Sequence, residues 1–280
     1  MIKIVAVLLL MAEVYGALYD YSKQDEWGGV CNSETSKKQT PVDVITPSSS
    51  TKVEGKFVEL SAGSELAAKN DNNDNFVQIS FTKTITYKIP GLNDTQGTVA
   101  QLHLHWGAKD TEGSEHWLDG KQFSAECHLV TSYGEDGKYA VVNRFFKVGA
   151  ENPELAKIIT SSEASGDARA ITGFNLAALY PSDLKSVILY EGGLTTPGCD
   201  EIVHWVVVPE PLTISAEQLA KLRTLKLGDG TGAAKTYNWR NKQALNGRSF
   251  TCLEQKTSAS AAILASPLLV LVAVIFNAIH

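Results

Sequence analysis

The stretch 101–133, QLHLHWGAKDTEGSEHWLDGKQFSAECHLVTSY, constrains this chain most, because it carries four of the six histidines around two short apolar runs. His103 and His105 are two apart, and on a β-strand such residues project to one face. Gln101 shares that face, while Leu102, Leu104 and Trp106 occupy the other. The second run, 123–130, separates Glu126, His128 and Val130 from Cys127 and Leu129 in the same way. Two histidines in alternation are, alone, ordinary half-buried strand residues. Paired as neighbouring strands, however, the two runs bring three imidazoles together from rigid elements. Three nitrogen ligands with a fourth position left for water suit a catalytic zinc rather than a structural one. Gln101 and Glu126 each lie two residues from a histidine on the same face, placed to accept the N–H that fixes an imidazole's tautomer.

The rest of the chain supplies a β-rich frame. Runs rich in Val, Ile, Phe and Tyr predict strands over 76–81, 84–89, 99–106, 123–131, 140–148, 186–190 and 202–208. Two helices are predicted. The segment 152–161 has Pro153 in its first turn, and 215–225 has Ser215 as N-cap with Gln218 three residues on, a capping box. The Asn/Asp-rich stretch 69–75 reads as a loop. No repeat or long linker divides the body, so 17–257 reads as one domain. A formal net charge of −6 points to no nucleic-acid partner.

Both ends are apolar. Residues 1–16 have a lysine, an apolar run over 4–11 and small residues at Val14 and Gly16, the pattern of a secretory signal peptide. Residues 258–280 open with SASAA and continue as an apolar tail with no basic cluster after it, which reads as a GPI-anchor signal whose tail is removed, with attachment within 257–260. A single C-terminal transmembrane helix is the other reading. The expected place is the outer face of the cell membrane, held by a lipid anchor. Asn93 opens the one N-x-S/T sequon, a surface glycan site in an exported chain. Four cysteines permit three full pairings, and spacing does not choose among them. Cys127 faces away from the ligand side and reads as a small core residue; Cys252 has no assignment.

The motifs QLHLHWG, GSEHWLDG, AECHLV, FFKVG, LYEGGLTTPGCDEIVHWVV and NWRNKQALNGR together resemble the α-class carbonic anhydrases, over residues 19–250. The resemblance implies a mainly β (α+β) fold: one large twisted, mostly antiparallel sheet, short peripheral helices and a conical zinc cleft. It implies Zn2+ on His103, His105 and His128, with CO2 and bicarbonate as substrates, attack by zinc-bound hydroxide, and inhibition by sulfonamides. It assigns Thr195 as the residue that orients the hydroxide and Glu115 as acceptor of the threonine's proton. A carboxylate only accepts, so it turns the threonine's lone pairs to the reaction. Thr196 lines the site, and Val130, Val141, Leu194, Val203 and Trp205 form the apolar wall for CO2. His116 is expected as a buried histidine bonded to Glu126 and Tyr190. The resemblance also implies a Cys31–Cys199 disulfide, worth ~4 kcal/mol on the chain-entropy account of a long closed loop.

The sequence departs from the family at one functional position. Fast members carry a proton-relaying histidine at the cleft mouth; aligning FVQISF puts Asn75 there, with bulky Phe76 beside it. Asparagine does not titrate and His204 alternates away from the site, so no replacement histidine is evident. Asn241 and Ala244, where the family often has prolines, fall in a loop.

Overall fold

A computed structural model of the chain describes residues 19–61, 66–71, 75–163, 169–228 and 232–256. The predicted leader over 1–16 and anchor signal over 258–280 lie outside these residues. In chain order the strands are β1 (Asp43–Val44), β2 (Thr51–Val53), β3 (Leu66–Asn70), β4 (Gln78–Phe81), β5 (Thr86–Lys88), β6 (Gln96–Trp106) and β7 (Trp117–Leu118). There follow β8 (Ala125–Tyr133), β9 (Lys138–Val148), β10 (Ala170–Phe174), β11 (Ser186–Gly192), β12 (Val203–Val207), β13 (Leu212–Ile214) and β14 (Thr251–Gln255). Among the described residues three α-helices, α1 (Pro153–Glu163), α2 (Leu176–Leu179) and α3 (Ala216–Thr224), lie outside the sheet.

Twelve strands form one sheet in the order β10-β3-β4-β6-β8-β9-β12-β11-β14-β2, with β5 added to β6 and β13 to β9. Pairing is antiparallel through the centre and parallel at β9·β12, β9·β13 and β14·β2. The sheet is therefore mixed but mostly antiparallel, and the domain is single and mainly β. A separate parallel pair joins β1 to β7.

The centre of the sheet is set by β6, β8 and β9, whose alternation is buried on both faces. Leu102, Leu104, Trp106, Cys127, Leu129, Val142 and Phe146 belong to the larger apolar core. Val130, Val141, Phe145, Val203, Trp205 and Val207 build the smaller one on the opposite face, the face of the histidines. A register shift between Val99 and Gln101 inserts one residue into β6. Since side chains alternate with period two, the bulge flips parity: Val99 enters the large core with Leu102, while Gln101, His103 and His105 share the other face.

Helix α3 begins as its sequence dictates. Ser215 accepts from the Gln218 backbone N–H while the Gln218 side chain bonds back to Ser215, a cap worth about 1 kcal/mol. The loop expected over 69–75 is corrected at its start. Lys69 and Asn70 end strand β3, and the buried Asn70 amide donates to the Ser161 and Ser162 hydroxyls of α1 at 3.0 and 2.5 Å. The Cys31–Cys199 disulfide joins the N-terminal arm to the loop after β11, closing a sequence separation of 168. Cys127 and Cys252 are free and buried.

Candidate metal centre

His103 on β6 and His128 on β8 are directly opposite in register, and His105 faces Glu126 two pairs further on. The ligand nitrogens of His103, His105 and His128 all lie within 4.8 Å of one another. All three rings are buried, His105 completely.

An acceptor on the outer side of each ring fixes its tautomer. His103 Nδ1 lies 2.8 Å from Gln101 Oε1, His105 Nδ1 2.7 Å from the Asn238 carbonyl, and His128 Nε2 2.9 Å from Glu126 Oε1. Each of those nitrogens therefore carries the proton, leaving a bare lone pair on His103 Nε2, His105 Nε2 and His128 Nδ1. Two of these lone pairs face each other at 3.2 Å, and buried His105 Nε2 has no hydrogen-bond partner. With no proton between them they repel, and a cation among them removes the conflict. Three neutral imidazoles of this kind suit zinc.

Electrostatics keep the rings in the ligating form. Burial pushes the His105 imidazole down to about 3, and the His128 ring lies below its ordinary value for the same reason. Burial, then the neighbouring His105 and His128, hold His103 well below its ordinary value. No proton has to leave these rings for a metal to bind at neutral pH. A second cluster, His116, Glu126 and His128, also has converging ligand atoms. It is closed by its own bonds: His116 Nδ1 and His128 Nε2 donate to Glu126 Oε1 at 2.7 and 2.9 Å, and His116 Nε2 lies 2.5 Å from Tyr190 Oη. Burial alone would raise the Glu126 carboxyl, yet the adjacent His116 and His128 hold it well below the carboxylate range.

Beside the triad, Glu115 is fully buried, with Oε2 3.4 Å from His105 Nε2 and Oε1 accepting the Arg240 backbone N–H at 2.8 Å. Burial pushes its carboxyl well up, opposed by the Thr195 hydroxyl and the Arg240 backbone. Thr195 and Thr196 are themselves buried, in the loop that Cys199 staples. Trp205 stands edge-on to His128 with ring centroids 4.9 Å apart, and its indole N–H donates to the Gly193 carbonyl at 3.1 Å. Val130, Val141, Val203 and the partly buried Leu194 belong to the same apolar cluster.

One expectation changes, and another gains detail. Asn75 is not at an open mouth: it is completely buried, and its carbonyl takes the Asn238 amide at 3.3 Å. The neighbouring Phe76 packs on His103 with ring centroids 4.7 Å apart. His204 does point away from the site, but it is buried, with Nδ1 2.7 Å from Glu191 Oε1 and Nε2 2.9 Å from the Pro90 carbonyl.

Two site residues went unassigned in the sequence, although both sit in its NWRN motif. Asn238 supplies the His105 carbonyl, and its side chain is tied to Trp106 N at 2.7 Å and Leu104 O at 2.9 Å. Arg240 holds Glu115 through its backbone while its guanidinium donates to the Thr40 carbonyl at 2.7 Å, Gln39 Oε1 at 2.9 Å and the Cys31 carbonyl at 3.2 Å. The polar residues of that motif, in a segment with no strand pattern, were the available signal.

A mainly β domain that turns three neutral imidazoles inward from two paired strands defines a three-histidine, zinc-type enzyme. Residues 22–253 match the family described as eukaryotic-type carbonic anhydrase. Similar proteins include carbonic anhydrase 3 of Bos taurus, 30% identical over 255 residues that span 85% of this chain and 97% of the relative. Carbonic anhydrase 3 of Sus scrofa and of Equus caballus are 35% and 37% identical over 163 and 164 residues, 53% of this chain and 62% of each relative. The chain belongs to the alpha, or eukaryotic-type, carbonic anhydrase family and is an enzyme of that family.

Proposed function

We propose that this carbonic anhydrase works at the outer cell surface, hydrating CO2 to bicarbonate and a proton at a zinc held by His103, His105 and His128. The observation that carries the reading is the convergence of three proton-free lone pairs in a buried site. Zinc, when bound, supplies a Lewis acid that makes water a nucleophile near neutral pH. The chain's own residues do the rest. Gln101, Glu126 and the Asn238 carbonyl hold the three rings, and His116 with Tyr190 braces Glu126. The Thr195 hydroxyl donates a hydrogen bond to Glu115, which leaves its oxygen lone pairs to accept a hydrogen bond from the attacking water and aim that water at CO2. Val130, Val141, Leu194, Val203 and Trp205 give CO2 an apolar surface that does not compete for hydrogen bonds, and Thr196 borders it.

The product proton must then leave. Buried Asn75 has no titrating group, and Phe76 covers the His103 side of the site. Turnover in a stopped-flow assay is therefore expected to rise with imidazole-type buffer while kcat/KM stays constant, and a sulfonamide is expected to abolish it. Turnover already high and flat in dilute buffer would show a relay elsewhere. Hydration that survives complete removal of zinc would sink the metal reading itself.

Cell-surface placement rests on the 1–16 leader, the Cys31–Cys199 disulfide, the SASAA-led tail and the sequon at Asn93. Asn93 is exposed in a turn, as glycan attachment requires. Among the described residues no helix is long and apolar enough to cross a membrane. Phosphatidylinositol-specific phospholipase C is expected to release the protein from cells. Retention, together with Val274 found in the mature chain by mass spectrometry, would establish a membrane helix instead.

A further inference from the structure

Asn143 is a buried polar residue on the histidine side of the sheet. It lies on β9 directly opposite His128 and is completely buried. Its amide is locked at both ends. The Val208 backbone N–H donates to Oδ1 at 2.8 Å, and since that group only donates, the end facing it is the oxygen. The NH2 end is thereby turned toward the metal site and donates to Glu126 Oε1 at 3.1 Å.

Glu126 Oε1 is the oxygen that orients His128. It accepts from His116 Nδ1 at 2.7 Å and His128 Nε2 at 2.9 Å, while Oε2 accepts the His116 backbone N–H at 2.8 Å. Both His116 contacts come from the segment just before β7. Asn143 adds a donor to Oε1 from a different element, the central strand that pairs with β8 along its length. Without it, Oε1 keeps only its two histidine donors, and the tie that anchors the carboxylate to β9 opposite His128 is lost.

We infer that Asn143 is a positioning residue for the metal site: by donating to Glu126 Oε1 it fixes the direction of the His128 Nδ1 lone pair. This rests on the zinc reading above. The alternative role, holding only the Val208 backbone, predicts different behaviour from an isosteric change. Asn143→Asp keeps the shape and the acceptor for Val208 but faces Glu126 with an oxygen in place of the donor.

The test uses the full chain as expressed, loaded with zinc, and follows metal release to excess chelator. Asn143→Asp is expected to release zinc roughly 10–100-fold faster than wild type, the usual range for a partner behind a metal ligand. The downfield imidazole N–H proton signals of His116 and His128 are expected to move, in both the zinc-loaded and the metal-free protein. If Asn143→Asp does not accumulate folded, Asn143→Ala gives the same readouts with the same expected direction. Release within about two-fold of wild type and unmoved signals, in whichever variant folds, overturn the inference. A wild-type protein that takes up no zinc overturns the metal reading instead, and the metal-free signals then still decide the Asn143 contact.

Discussion

His128→Ala is expected to lose most of the bound zinc and nearly all CO2 hydration activity. The change removes one of three converging lone pairs and leaves two nitrogens, too few for a closed tetrahedral site with one exchangeable position. It also takes a donor from Glu126, whose ionised form is held by His116 and His128 in a fully buried place. Leaving such a group short of a partner costs about 1–3 kcal/mol, so the melting temperature falls even when wild type is compared without metal. Gln101→Ala and Glu126→Ala act one bond further out and are expected to weaken retention by roughly 10–100-fold. Metal analysis after dialysis, with a stopped-flow assay on the same samples, checks the series. Full activity in a zinc-free His128→Ala sample would refute the ligand assignment.

Thr195→Ala is expected to separate chemistry from metal binding. Thr195 is buried beside Glu115 and belongs to neither cluster of metal-ligating atoms. Zinc content should stay at the wild-type level while kcat/KM for hydration falls about 100-fold or more, as when one preorganised hydrogen bond to a reacting group is lost. Thr195→Ser keeps the hydroxyl and should recover most of the rate. An unchanged rate in the alanine variant removes Thr195 from the reaction. Zinc loss in that variant would show instead that the loop supports the ligands.

How much of this was legible in the chain varied with how local the cause was. Strands β6, β8 and β9 were readable because alternation holds over 101–106 and along β8 and β9, and both faces are apolar or ligating. The α3 start was readable because a capping box is a four-residue event. Strand β3, LAAKN, was lost: its inward positions are Leu66, Ala68 and Asn70, and only the first has the bulk that marks a strand. The bulge at 99–101 leaves no mark in composition, yet it determines which residues of β6 face the core. Resemblance gave Asn75 a position in the family pattern but not its burial, which depends on packing from Asn238 far along the chain. Asn143 was unreadable for a related reason: its role depends on Val208 and Glu126, and no sequence spacing links the three.

The segment around Asn238 and Arg240 sets an order on the protein's birth. The three imidazoles leave the ribosome within the first half of the chain, but the carbonyl that holds His105 and the N–H that holds Glu115 belong to residues made more than a hundred positions later. A nascent chain stalled before Asn238 already has its three metal-binding rings yet lacks the clasp that sets the tautomer of one of them. Metal capture in its final geometry therefore falls late in synthesis, once the end of the domain has folded back across the sheet. The same return contact runs from Arg240 to the Cys31 carbonyl, so closing the clasp also brings the start of the chain toward its oxidised partner.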